Sequence, residues 1–188
     1  MTGQPLHSGV LLVANHVAWL DIPLLGGYSS IRFLSKQEVE NWPVIGWLAN
    51  CAGTLYIERG KQGAAQLAAD RISASLRAGD AVLVFPEATT TNGHNVRPFH
   101  ARLFSSAMEA DAPIQPIALR YRSEQGEPCG RVPYVDEMSL LSNLLGFLGE
   151  KTLYMEIHYL APILPAGYER KTLAGMAEEQ IRAVVVRP

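Results

Sequence analysis

The chain has 188 residues, 48% of them hydrophobic, with 16 basic and 18 acidic side chains and a formal charge of −2. That length suits one domain of roughly 100–200 residues and that apolar content fills one sizeable core, so a single unit over residues 1–188 is expected. No basic stripe marks a nucleic-acid surface, Cys51 and Cys129 lack the spacing of a disulfide framework or zinc site, and no apolar run reaches the roughly 18–20 residues of a spanning helix.

Met1 to Gly9 has neither the charged start nor the apolar run of a signal peptide. With no disulfide framework, the expected setting is the reducing cytoplasm, with the chain soluble or peripheral on the cytoplasmic face of a membrane. In chain order, Val10 to Ala14 is a short apolar run that reads as a buried strand delivering Asn15 and His16 to a loop or helix start. Ile31 to Ser35 reads as a second strand, Trp42 to Ala49 as a short apolar helix, and Gly53 to Ile57 as a third strand ending in a turn at Glu58-Arg59-Gly60. From Gln62 to Ala78, apolar residues at Ala65, Ala68, Ile72 and Leu76 recur at helical spacing, and Gly79 supplies the stop.

Ala81 to Phe85 is an apolar run of strand length that Pro86 ends, because proline cannot donate to a sheet ladder; Glu87 to Gly93 must then be a loop. Ala101 to Ala110 fits a helix and Ile114 to Tyr121 another strand. Leucines at 140, 141, 144, 145 and 148 give Ser139 to Gly149 a helix-period apolar face. Thr152 to Leu160 alternates as a strand does, and Ala174 to Val186 fits a terminal helix. Strands alternating with helices predict an α/β fold, a mixed, largely parallel sheet flanked by helices.

Among the residues able to do chemistry, His16 and Asp21 stand out. A histidine with an ordinary pKa of about 6.5 can take a proton at neutral pH, and a carboxylate can set its tautomer and stabilise its charged form. Taken alone the pair is weak, since five histidines and five aspartates in 188 residues produce about 0.13 such matches by chance. A surface histidine beside a helix N-cap aspartate explains it equally well. Arg59 has a guanidinium able to grip phosphate oxygens bidentately, or it is a solvated turn residue. Glu87 can bond a ligand's hydroxyls, organise the loop that holds them, or be an exposed loop acid. His94, His100 and His158 share no ligand spacing and read as loop, helix-start and strand residues; no metal site is expected. No Gly-x-Ser-x-Gly elbow or cysteine signature supports a covalent nucleophile.

Four segments in order change the weight of the pair. Asn15-His16-Val17-Ala18-Trp19-Leu20-Asp21, Gly53-Thr54-Leu55-Tyr56-Ile57-Glu58-Arg59, Phe85-Pro86-Glu87-Ala88-Thr89-Thr90-Thr91 and Ala112-Pro113-Ile114-Gln115-Pro116-Ile117 span residues 13 to about 120. Together they resemble the four motifs of the glycerophospholipid (lysophospholipid) acyltransferases, enzymes of 1-acylglycerol-3-phosphate acyltransferase type with a His-x4-Asp pair. The resemblance implies an acyltransferase-like fold and transfer of a fatty acyl chain from acyl-CoA or acyl carrier protein to a lysophospholipid hydroxyl, with no cofactor. His16 would be the general base and Asp21 its orienting partner. Lys36, Arg59, Glu87 and Thr89 would bind substrate. Backbone amides near the His loop would stabilise the oxyanion, as acyl transfer generally requires.

Two departures qualify this. The family commonly has Glu-Gly-Thr-Arg-Ser where Glu87-Ala88-Thr89-Thr90-Thr91 stands here, so a basic phosphate ligand is replaced by a hydroxyl; alanine at 88 also takes a positive φ less readily than glycine, which predicts an altered loop path. A lyso-aminolipid or glycerol 3-phosphate acceptor therefore stays open, as do a non-catalytic lipid- or acyl-carrier-binding module and a thioesterase. Many relatives also carry an apolar membrane-docking segment ahead of the His motif, whereas fifteen residues precede His16 here, which leaves attachment by that route open. The stripes Trp42 to Leu48 and Leu140 to Leu148 are either core or an interfacial surface, and core is the commoner outcome.

Overall fold

The computed structural model describes residues 1–27, 30–42, 45–51, 53–57, 63–129, 132–134, 143 and 152–186. Its frame is a six-stranded sheet in the order β3-β2-β4-β1-β5-β6. The strands are β1 Val10–Ala14, β2 Ile31–Lys36, β3 Leu55–Ile57, β4 Ala81–Val84, β5 Ile114–Ser123 and β6 Leu153–Tyr159. The first five run parallel, and β6 closes the edge antiparallel to β5. The helices are α1 Asp21–Gly26, α2 Ile45–Cys51, α3 Ala64–Arg77, α4 Ser105–Ala110 and α5 Arg170–Val185, with 3-10 turns at Gln37–Asn41 and Ala101–Phe104.

β1 and β4 are buried along their whole length, which is why they read as continuous apolar runs: a parallel strand covered on both faces has no water-facing side. The two faces still sort by alternation. Leu11, Val13, Val82, Val84, Ile114 and Ala118 pack under α3, α4 and α5 through Ile72, Leu76, Ala107, Leu173, Ala177 and Ile181. Leu12, Ala14, Leu83, Ile117 and Leu119 point the other way, against Phe33 and against Leu25 of α1.

α3 forms where the periodicity places it, and Gly79 follows it at φ +91°, the left-handed conformation that ends helices and that glycine adopts without a Cβ clash. The run 101–110 departs from a single helix. Its first turn is 3-10 and only Ser105–Ala110 is α-helical, because the Ser105 and Ser106 hydroxyls bond the carbonyls of Arg102 and Leu103 at 2.8 and 2.6 Å, competing with the regular backbone pattern. The expected helix at Ser139 to Gly149 and the turn at Glu58-Arg59-Gly60 lie outside the described residues, Asn143 excepted.

The topology dictates where chemistry can occur. β1 pairs with β4 in register Val13↔Val84, so the segments leaving their C-terminal ends, Asn15-His16 and Phe85-Pro86-Glu87, emerge side by side. β2 flanks β4 and ends at Lys36. Ligands of open α/β sheets bind outside these carboxyl ends, where the strand order switches direction.

Candidate active site

Asn15 anchors the strand end. Its buried side chain donates to the Leu119 carbonyl at 3.0 Å and accepts from the Leu119 amide at 2.8 Å, extending the β1–β5 ladder by a side chain. His16 follows with fixed backbone: its N–H donates to Glu87 Oε1 at 2.9 Å and its carbonyl accepts from the Thr91 amide at 2.8 Å. Its ring stacks on Phe85, centroids 4.0 Å apart and 17° between planes. Nδ1 lies 2.8 Å from Asp21 Oδ2, and the side chain is 17% exposed against 0% for Asp21. A histidine whose Nδ1–H is held by a carboxylate presents an unprotonated Nε2. His16 lines a cleft of about 1960 Å³, together with Trp19, Lys36, Phe85, Thr89 and Arg97.

Asp21, the first residue of α1, is held on every side. Oδ2 also accepts the amides of Val17 at 2.8 Å and Ala18 at 3.1 Å, which folds residues 16–21 into a tight turn, and Oδ1 accepts the Tyr121 hydroxyl at 2.6 Å. A buried carboxylate needs such partners, since an unpaired one costs several kcal/mol, of order that of a lost charge-assisted bond or more. Burial and the neighbouring Asp21 charge push the Tyr121 phenol far above its usual range, so it serves as a proton donor in the bond and stays neutral.

Glu87 is 3% exposed. Its second oxygen accepts the Arg97 amide at 2.7 Å, so one carboxylate clamps the His16 turn to the loop that carries Arg97. Burial raises its pKa, and the two amides and the charges of His16 and Arg97 pull it back. Of the readings open for Glu87, its contacts are those of a loop organiser, with both oxygens turned to backbone. Ala88 behind it adopts φ +59°, the left-handed conformation that alanine takes less readily than glycine, between the Glu87 clamp and the Thr91–His16 bond. Such a φ costs an alanine about 1–2 kcal/mol.

Thr89 is exposed in the cleft, and Lys36 faces the same cleft from the end of β2. The Thr90 hydroxyl turns away to the Tyr134 carbonyl, and the Tyr134 amide in turn donates to the Val17 carbonyl at 3.0 Å. Arg59 lies outside the described residues; the second motif is described only as far as Ile57, with Gly53 at φ +63°, the left-handed turn that calls for glycine at its head. The amides of residues 16, 17 and 18 are all committed to Glu87 or Asp21, which removes the nearest backbone donors from the expected oxyanion role.

Tyr121 and Arg97 went unmarked in the sequence. Tyr121 follows Ile117 and Leu119 on one face of β5, and a buried tyrosine hydroxyl needs a partner, which was the one available signal. Nothing local distinguishes Arg97 from a solvated loop residue. His94, His100 and His158 sit in a loop, just before a 3-10 turn and on β6, as their positions suggested. Among the described residues no helix is long and apolar enough to cross a membrane.

The family described as Acyltransferase matches residues 2–120. Among similar proteins, the lyso-ornithine lipid O-acyltransferase of Pseudomonas aeruginosa is 43% identical over 182 residues, covering 97% of this chain and 70% of that protein. The 1-acyl-sn-glycerol-3-phosphate acyltransferase of Neisseria gonorrhoeae is 37% identical over 179 residues, 95% of this chain and 70% of its own. The crystal structure of the 1-acyl-sn-glycerophosphate acyltransferase PlsC from Thermotoga maritima shares the fold at a TM-score of 0.66 and 21% identity, over 96% of this chain and 66% of that one. With the four motifs in order, the fold around them and these matches, the chain belongs to the acyltransferase family.

Proposed function

We propose that this protein is an O-acyltransferase that moves a fatty acyl chain from the thioester of acyl-CoA or acyl carrier protein to the hydroxyl of a lysolipid, with His16 as general base. The observation that carries this is the His16–Asp21 contact of 2.8 Å at the wall of the cleft, with the carboxylate buried and the imidazole within reach of a ligand. The acceptor oxygen attacks the thioester carbonyl carbon while its proton passes to Nε2. The tetrahedral intermediate then collapses, the C–S bond breaks, and the imidazolium returns the proton to the departing sulfur. Asp21 stabilises the imidazolium in between, and Tyr121 and the Val17 and Ala18 amides hold Asp21. Lys36, Arg59 and Thr89 are proposed to contact substrate, and Glu87 to set the loop around it.

For the acceptor, an ornithine lipid headgroup comes first. The third motif has lost its arginine, the Thr90 hydroxyl that replaces it is spent on Tyr134, and the Pseudomonas aeruginosa relative is named for a lyso-ornithine lipid. 1-Acylglycerol 3-phosphate comes second, on the Neisseria gonorrhoeae relative. We place the enzyme at the cytoplasmic face of a membrane, where such acceptors reside. Thiol release from an acyl thioester, followed with each lysolipid and without any, tests the reading. Release must require acceptor, and His16→Ala must lower it by at least about 10²–10⁴-fold, the usual contribution of positioned general-base catalysis. Release independent of acceptor would make the protein a thioesterase; binding without release would make it a carrier-binding module.

A further inference from the structure

The third motif poses a problem the fold answers. Acceptors with an acidic headgroup need a cation near the base, yet position 90 is a threonine whose hydroxyl is occupied by the Tyr134 carbonyl. Seven residues on, Arg97 lies on the wall of the same cleft and is exposed. Its backbone is no ordinary loop backbone. The Arg97 amide sits 2.7 Å from one oxygen of Glu87 while the His16 amide sits 2.9 Å from the other, so the roots of both side chains are fixed on opposite sides of one buried carboxylate. The Arg97 charge acts on Glu87 without a close ion pair, and the ion pairs among the described residues leave Arg97 out.

We propose that Arg97 is the cation that holds the acidic headgroup of the acceptor, taking the place of the third-motif arginine that Thr90 replaces. This rests on the lysolipid acyl transfer proposed above. Glu87 ties together the two segments that carry Arg97 and His16, and both side chains line the same cleft. The planar guanidinium takes two oxygens of a phosphate or of a carboxylate alike, the chemistry common to a phosphate monoester and to the free carboxyl of an amino-acid headgroup. Lys36, across the cleft at the end of β2, brings a second positive charge to the same space.

The test uses two acceptor pairs: 1-acylglycerol 3-phosphate against 1-monoacylglycerol, and lyso-ornithine lipid against its carboxyl methyl ester. Arg97→Gln keeps the backbone amide that Glu87 needs, so the fold is preserved and its thermal midpoint should match the parent's. A charge-assisted bond lost without replacement lowers affinity roughly 10- to 100-fold. The preference for the acidic member, read as a ratio of kcat/KM, should therefore fall by about that much through KM in at least one pair, and Arg97→Lys should restore part of it. The pair that responds identifies the anion as phosphate or carboxylate. An equal fall for the acidic and neutral members would assign Arg97 a purely structural role and overturn the proposal, as would no fall in either pair. A parent enzyme that releases thiol with none of the four acceptors would instead overturn the acyl-transfer reading, and this inference with it.

Discussion

At the scale of single residues, the site is a chain of hydrogen bonds ending in one imidazole. Tyr121 lends its O–H to Asp21 Oδ1, which frees none of the charge on that oxygen for solvent and draws density away from Oδ2, where His16 binds. Removing the donor reverses this. Tyr121→Phe leaves a buried carboxylate oxygen unsatisfied, a loss of about 1–3 kcal/mol in stability. Chemical denaturation at neutral pH should show that loss. An unchanged denaturation midpoint would mean that the Tyr121 hydroxyl adds nothing to the hold on Asp21.

At the scale of elements, two loops leaving adjacent parallel strands are bound together by Glu87. Its pKa is raised by burial, so between the ordinary carboxylate value of 4.5 and that raised value the folded chain keeps a proton that the unfolded chain has released. The folded state binds more protons in that window, and stability therefore falls as pH rises through it. Glu87→Gln should flatten this part of the curve. It should also weaken the fold near neutral pH by about 1–3 kcal/mol, because an amide side chain offers one acceptor oxygen where two backbone N–H groups need one each. Chemical denaturation of both proteins across pH 4 to 8 checks the sign; a steeper slope in the variant would contradict the assignment. Much at this scale was legible beforehand. The apolar runs at β1 and β4 and the 3.6-residue pattern of α3 depend only on which side chains avoid water, and the chain declares that directly. The split of 101–110 into two helical types was not, because it turns on two serine hydroxyls choosing carbonyls three residues back.

At the scale of the whole molecule, the cleft opens beside exposed apolar side chains. Trp42 lines it and is 41% exposed, Leu24 on α1 is 38% exposed, and Trp47 on α2 is 67% exposed. The Trp42 to Leu48 stripe thus presents its two tryptophans outward, and indoles suit the water–lipid boundary, where their ring is apolar and their N–H still finds a partner. If this is how the enzyme reaches a lipid acceptor, Trp47→Ala should reduce co-sedimentation with phospholipid vesicles several-fold while activity on micelle-dispersed acceptor is retained. Equal sedimentation of parent and variant would remove α2 from the membrane surface. The companion stripe at Leu140 to Leu148 lies outside the described residues.

The amino-acid order by itself determined the α/β frame, because hydrophobic periodicity is a property of neighbours along the chain, and its four ordered segments carried the family resemblance that pointed to acyl transfer and to His16 and Asp21. Only the tertiary structure decided what surrounds that pair: Tyr121 comes from 100 residues away to hold Asp21, and Glu87 spans 71 residues to His16 to fix the turn. It also decided that the Thr90 hydroxyl turns to Tyr134 while Arg97 faces the cleft. Partnerships of this kind depend on which strands lie side by side, and strand order is chosen by how the two faces of the sheet are buried, a global balance that no local run of residues records.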